Sequence, residues 1–451
     1  MIMPVVAPTP TSRRIFRLLP DEIAAWLEER PDSCRRWTED HGFSAKPGTH
    51  LAFPGDEGGI AEVVLGKKDA FVDGARAGNL PAGVYALADQ DEAEEFAIGF
   101  LLQQYRFDKF RQKAPAPKAD LIIEDEALRH RVEAVSGGIC LARDLINMPA
   151  NYLNPQGMED AARDLSVAFS AELNVTIGDE LTKRFPAIDT VGRAAECPPR
   201  LLDLRWGNEG PAITLIGKGV TFDSGGLDLK PSGGMEIMKK DMGGAAHVLG
   251  LARIIMALGL KIRLRVLVPT AENAVSSRSM RPLDVIDTAA GIPVEVGNTD
   301  AEGRLILADA IHLATQDEPD LLIDFATLTG AARVAVGTEL PALFSNHEAL
   351  SKELVAAGEA TSDPVWPLPL HAPYDRYLDA GYAALSSTGT SRYGGAITAA
   401  LFLKRFLARP VPWAHLDVMA WNLGDRPGHP KGGEAMGLRA VFRLIENRLK
   451  A

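Results

Sequence analysis

From about residue 150 onward, short apolar runs alternate with helix-like stretches, and this alternation limits the folds open to the chain more than any other feature. Strand-like runs cover Ile213 to Ile216, Leu264 to Val268, Leu321 to Phe325 and Trp413 to Val418. Between them lie Ala245 to Leu258, Arg304 to Thr315 and Ile397 to Leu407, which read as helices. Such alternation favours a mainly parallel sheet with helices on both faces. Ligands of these sheets bind beyond the C-terminal ends of the strands, so the chemistry is to be sought in the loops that follow the runs.

The first 120 residues read as a smaller α/β module. Pro20-Asp21-Glu22 opens a helix with Ile23, Trp26 and Leu27 on one face. Ile60 to Leu65 and Val84 to Leu87 read as strands, and Asp89 to Tyr105 as a helix with an acidic first turn, which suits the helix dipole. Lys113 to Lys118, with two prolines, has the composition of a short stiff linker. Glu124 to Leu145 then reads as one helical stretch interrupted at Gly137-Gly138 and stopped by Pro149. The expected plan is α/β throughout: an N-terminal α/β domain over 1–120, a linker helix over 121–147, and a C-terminal domain over 148–451. The last is expected to hold a mainly parallel or mixed sheet flanked by helices.

Composition removes several alternatives. With 46% apolar and 24% charged residues in 451, the chain is neither disordered nor fibrous. A net charge of −12 gives no bulk attraction to nucleic acid or anionic lipid. Cys34, Cys140 and Cys197 are scattered, which fits neither a disulfide scaffold nor a cysteine zinc site, and points to a reducing compartment. The apolar start is followed, not preceded, by Arg13 and Arg14, the reverse of a signal peptide. The most apolar stretch, Leu249 to Leu260, contains Arg253 and is too short to span a bilayer. A cytoplasmic protein with no membrane partner is expected.

Two segments concentrate unusual residues. Gly217-Lys218-Gly219-Val220-Thr221-Phe222-Asp223-Ser224-Gly225-Gly226 begins at the end of an apolar strand and continues to Lys230 and Lys239-Lys240-Asp241. Asn298-Thr299-Asp300-Ala301-Glu302-Gly303-Arg304 lies just before a helix. In an extended loop Asp300, Glu302 and Arg304 would share one face. Two carboxylates on one face repel unless a cation lies between them, and hard divalent cations prefer such oxygens. With Asp223 and Asp241, four carboxylates suffice for a metal pair about 3.5–4 Å apart. A solvated charged surface is the competing reading, but it leaves the Gly-Gly pairs at strand ends unexplained.

These two motifs resemble those of the leucine aminopeptidase (cytosol aminopeptidase) family of dinuclear-metal exopeptidases. The likeness runs from about Asn147-Met148-Pro149-Ala150-Asn151 to about Arg439, and includes Thr327-Leu328-Thr329-Gly330 and Trp413 to Asp417. The resemblance implies a metal-dependent aminopeptidase that hydrolyses the N-terminal peptide bond, with water activated by two metals as nucleophile. Lys218, Asp223, Asp241, Asp300 and Glu302 would be the metal ligands. Lys230 would stabilise the oxyanion, and Arg304 would hold a bicarbonate that shuttles protons. Two divalent ions per subunit are implied, Mn²⁺ or Zn²⁺, with Co²⁺ or Mg²⁺ as alternatives. A lysine ligand must bind as the neutral amine, and moving its pKa from near 10.4 to near 7 costs about 4–5 kcal/mol, which two adjacent cations can supply.

The resemblance also maps a pocket for the first side chain onto Met238, Thr327, Gly330, Met419 and Asn422. In this chain Val418-Met419-Ala420-Trp421-Asn422 replaces a smaller stretch, and Lys431 to Gly437 departs from the family's Lys-Gly-Ala-Thr-Gly form. Peptides with a free N-terminus are the implied substrates, and a homohexamer, a dimer of trimers, the implied assembly. Two rivals are a cysteinylglycine-type dipeptidase on the same site and a DNA-binding regulatory role of the N-terminal domain; the acidic balance weighs against the second.

Other signals fall away. Gly217-Lys218 lacks the earlier glycine and the following Ser or Thr of a P-loop, since Ala212 and Gly219 stand there. His347-Glu348 has Ser351 where a second zinc histidine is needed, and Phe222 replaces the glycine that a nucleophile elbow needs before Ser224. His415 is expected to be a hydrogen-bonded core residue, and Cys197 a packed or surface thiol.

Overall fold

The structure is a computed structural model, and it describes residues 5–6, 12–55, 58–112 and 119–450. The expected linker, Lys113 to Lys118, lies outside the described residues. The chain divides into two compact units. One is Met1–Ser136 with Gly424–Lys431, the other Gly137–Leu423 with Gly432–Ala451.

The first unit is built on a six-stranded sheet. Its strands run Val5–Val6, Ala119–Ile122, Gly83–Leu87, Arg13–Leu18, Ile60–Gly66 and His50–Pro54 in spatial order. All neighbours are parallel except the last pair. Trp26 and Leu27, from the expected first helix, pack on Leu51, Phe53 and Val64. The helix expected from Asp89 begins later, as Ala93–Gln103, with Glu94 and Glu95 in its first turn. A buried Arg17–Asp73 pair at 3.2 Å ties a strand to the helix Ala70–Ala77.

The second unit carries the expected α/β architecture, with a nine-stranded mixed sheet. Its centre is parallel: Trp413–Asp417, Leu321–Ala326, Ala212–Gly217 and Arg263–Asn273 lie side by side. Antiparallel strands, Ala342–Ser345 on one side and Arg200–Trp206 with Glu172–Ile177 on the other, extend the margins. A short strand, Gly219–Asp223, continues from the centre and pairs parallel with the far end of Arg263–Asn273. Alternation within the strands directs successive side chains to opposite faces. Ile216, Leu267, Leu322 and Ala326 join one core with Leu305, Ala308 and Ile311 of the helix Glu302–Gln316. On the other face Gly217 meets Gly244 and Val248 of the helix Gly243–Ala257. Among the described residues, no helix is long and apolar enough to cross a membrane.

Two expectations of local structure need correction. The helix Glu126–Asn147 is not interrupted at Gly137-Gly138. A Cβ on Gly137 would fall 1.9 Å from Arg253 Nη1, and one on Gly138 would fall 2.5 Å from Gly250 O, so these glycines admit a close helix neighbour instead of breaking a turn. The Asp300–Arg304 segment is not extended. Asp300 lies in a turn, and Glu302 and Arg304 already belong to the first turn of Glu302–Gln316.

That helix is anchored from within by Asp309. Its Oδ2 accepts the N–H groups of Ala187 and Ile188 at 2.9 and 3.2 Å, and its Oδ1 accepts that of Ala289 at 2.7 Å. Burial pushes the carboxyl up to about 7 against the lowering effect of these three donors. Replacing Asp309 with alanine strands buried donors and is expected to cost about 2–4 kcal/mol, read from the urea midpoint. Because the folded pKa is raised, the Asp309 contribution is greatest below about pH 4 and is lost as pH rises through about 7. Asp309→Ala removes that slope from a plot of unfolding free energy against pH.

Candidate functional site

The site gathers where the central strands end. Lys218 follows Ala212–Gly217 directly, and its backbone is held by Phe325 O at 3.0 Å and by the N–H of Ala245 at 2.8 Å. Its side chain therefore runs between the sheet and the start of the helix Glu302–Gln316. The passage exists because residue 303 is glycine: a Cβ there would lie 2.4 Å from Lys218 Cε and 2.6 Å from Nζ. The buried ammonium reaches Asp241 Oδ2 at 2.7 Å, Glu302 Oε1 at 2.8 Å and Thr327 O at 3.0 Å.

Asp223 ends the strand Gly219–Asp223, and the chain then turns through Ser224 to Gly226. The Asp223 Oδ1 accepts from Gly225 N at 2.9 Å and from Asn273 Nδ2 at 2.8 Å. Its Oδ2 faces Lys230 Nζ at 2.8 Å, and the same ammonium contacts Asp300 Oδ1. Asp241 sits in the turn Met238–Met242, and its Oδ1 accepts from Thr327 Oγ1 at 2.8 Å.

All five carboxylate and lysine positions singled out in sequence for metal binding thus converge with Lys230. Asp223, Asp300 and Glu302 each offer an oxygen within 4.8 Å of the other two. Lys218 spans Asp241 and Glu302, while Lys230 spans Asp223 and Asp300. Two lysines contact the four carboxylates directly, and Lys240 and Arg304 add positive charge beside Asp241 and Glu302. Glu302 Oε2 is buried and receives no hydrogen bond. Such an oxygen is costly to bury without a cation.

The electrostatics record this strain. Burial, and then repulsion from Asp223, push Glu302 well above the ordinary carboxylate range, with Lys218 opposing. The same two causes raise Asp300, offset in part by Lys230. For Asp241, burial acts upward, but Lys218, Lys240 and Thr327 together bring it below its ordinary value. Burial lowers both lysines, yet the surrounding carboxylates outweigh it and hold Lys218 and Lys230 above the usual lysine value.

Arg304 is buried, and its Nη1 donates to Ser387 O at 2.7 Å while its Nε has no partner. Burial lowers it to about 10, so it stays charged at neutral pH. Of the five pocket positions, Thr327 touches Asp241, and Met238 lies in the same turn as Asp241. Gly330 is exposed at the start of the helix Gly330–Val336, capped by Thr329. Met419 is buried, and Asn422 donates to Glu434 Oε2 at 2.6 Å.

Asn273 and Asp228 carry no local signal, and Thr299 and Asp417, though within the motif segments, are assigned no role by the sequence. Asn273 orients Asp223 from the neighbouring strand. Asp228 Oδ2 accepts the Thr299 N–H at 2.7 Å, and Thr299 Oγ1 donates to Gly225 O at 2.6 Å, which locks the two motifs together. Asp417 accepts from the N–H groups of Leu328 and Thr329 at 2.9 and 3.2 Å and so shapes the Thr327–Gly330 loop. His415 is a core residue, as expected: its Nδ1 is 2.5 Å from Asp324 Oδ1, and Trp413 Nε1 donates to Asp324 Oδ2. Cys197 is partly buried against Arg200.

Comparison with known proteins agrees with this geometry. The family model described as "Cytosol aminopeptidase family, catalytic domain" matches residues 140–442, and "M17 aminopeptidase, N-terminal domain" matches residues 14–124. A probable cytosol aminopeptidase from a Geobacter species is 39% identical over 375 residues, covering 79% of this chain and 75% of its own length. The crystal structure of the cytosol aminopeptidase from Coxiella burnetii superposes with a TM-score of 0.94 at 45% identity, covering 98% of this chain and 99% of the other. The bottromycin maturation enzyme BotP, solved in complex with Mn, gives 0.88 at 33% identity, covering 98% of this chain and 100% of its own. The chain belongs to the cytosol (leucine) aminopeptidase family, a family of metal-dependent peptidases that act on the N-terminal end of peptides.

Proposed function

We propose that this site removes N-terminal residues from peptides with two divalent cations held by Lys218, Asp223, Asp241, Asp300 and Glu302. The observation that carries the reading is the crowding of carboxylate oxygens from Asp223, Asp300 and Glu302 within 4.8 Å of one another, with the buried Glu302 Oε2 lacking any donor. Oxygen donors and one amine suit Mn²⁺ or Zn²⁺, with Co²⁺ and Mg²⁺ as alternatives. Asp223, Asp241, Asp300 and Glu302 would supply the carboxylate oxygens, and Lys218 would bind as the free amine. When bound, such cations polarise a carbonyl and lower the pKa of water toward neutrality.

The chain's own residues supply the rest. Lys230 is an ammonium with three donors. Asp223 and Asp300 engage two, and the third is free to meet a developing oxyanion. Arg304, with a buried unpaired Nε, is suited to anchor a planar anion such as bicarbonate, which would serve as the proton carrier. Met238, Thr327, Gly330, Met419 and Asn422 would line the pocket for the first side chain. A homohexamer, a dimer of trimers, is the proposed assembly, and sedimentation at six times the mass of one chain checks it.

Asp300→Ala and Glu302→Ala are each expected to abolish metal-dependent release of N-terminal residues and to lower the metal bound per chain. Near-parental turnover in a metal-defined assay contradicts the ligand roles. Lys230→Ala is expected to lower kcat about 10²–10³-fold with metal content unchanged. Loss of metal in that variant contradicts its role as an oxyanion donor.

A further inference from the structure

Glu434 lies in the segment where the sequence departs from the family's form, and its carboxylate is buried. A buried carboxylate needs both a counter-charge and hydrogen bonds. Arg143, itself wholly buried, supplies the charge through a two-pronged contact: Nε to Oε1 and Nη2 to Oε2, each at 3.0 Å. The Ala435 N–H donates to Oε1 at 2.9 Å, and Asn422 Nδ2 donates to Oε2 at 2.6 Å.

The same residue also grips the backbone. Glu434 N donates to Ala420 O at 3.1 Å, and Trp421–Asn422 pairs antiparallel with Gly432–Gly433. Ala420 sits at φ 56°, a left-handed conformation that a residue with a side chain holds only under constraint. This turn lies beside the site. A Cβ on Gly243 would come within 2.4 Å of Ala420 Cβ and 3.1 Å of Thr327 Cγ2, and Thr327 in turn holds Asp241.

The network also has a direction. A guanidinium only donates and a carboxylate only accepts, so Asn422 must turn its amide nitrogen toward Glu434. A flipped amide would set its oxygen against the carboxylate. We propose that Glu434, neutralised by Arg143, is a positioning residue that fixes the amide of Asn422 as a polar wall of the pocket for the first side chain, and thereby sets the tolerance for polar N-terminal residues. The proposal rests on the aminopeptidase reading of the same site and on the placement of Asn422 in that pocket proposed above.

Three variants test it. Glu434→Asp keeps the charge facing Arg143 but withdraws the carboxylate by one methylene. Arg143→Lys keeps the charge but not the fork. Asn422→Ala removes the amide. Metal-loaded enzymes are assayed on glutaminyl-amide and leucyl-amide, with kcat and KM separated and melting temperature and metal content recorded. Each variant is expected to lower the kcat/KM ratio of the glutaminyl to the leucyl substrate about tenfold, the size of one buried hydrogen bond, chiefly through KM. Combining Glu434→Asp with Asn422→Ala should change the ratio no further than Asn422→Ala alone. An unmoved ratio in any folded, metal-replete variant overturns the proposal, since a purely structural role would depress both substrates equally. If the parent enzyme turns over neither amide, the aminopeptidase reading falls and this proposal falls with it.

Discussion

Four carboxylates brought together where the central strands end repel one another, and much of the catalytic unit is arranged around that repulsion. Asp223, Asp241 and Glu302 are almost wholly buried, and Asp300 stands at the opening. Two lysines meet part of the charge, each bridging one pair of acids. The crowding of these oxygens, with Glu302 Oε2 left without a donor, is what makes a divalent site physically reasonable, because a cation relieves both the burial penalty and the mutual repulsion. Lys218 then has two opposing environments. Carboxylates alone favour its charged form, and adjacent cations favour the free amine. Loading the site should therefore displace a proton.

The fold supplies the stiffness that such crowding requires. Lys218 and Asp223 are carried at the ends of successive strands, and Glu302 opens a helix packed on the opposite side of the same loops. A carboxylate at a helix N-terminus also faces the positive end of the dipole. Asp309 fastens that helix to two neighbouring segments, and the Asp228–Thr299 bonds join the two motif loops. Charges that repel are thus held by backbone hydrogen bonds and strand pairing, not by one another.

The alternation of apolar runs with helical stretches was enough to read the α/β class and the parallel centre of the sheet. The motif residues were legible because their types and spacing are rare in combination. Their convergence has a different local cause from the extended loop that the spacing suggests: Glu302 and Arg304 belong to a helix and do not share an extended face. Asp300 and Glu302 meet because the turn at Asn298–Ala301 folds the chain into the helix start. Gly137 and Gly138 suggest a helix break in sequence, which carries no information on how near Arg253 and Gly250 come. Asn273, Ser387 and the Arg143–Glu434 pair were illegible for the same reason. Each acts through a partner far along the chain, and nothing local distinguishes it from an ordinary polar residue.

The most direct test of the account is the metal stoichiometry of the intact chain. Metal-stripped protein, titrated with Mn²⁺ in a calorimeter using two buffers of different ionisation enthalpy, reports both the ions bound and the protons released. The account predicts two ions per chain with net proton release. Saturation at a single ion, or binding that releases no proton, would contradict the two-cation site with Lys218 as a neutral ligand.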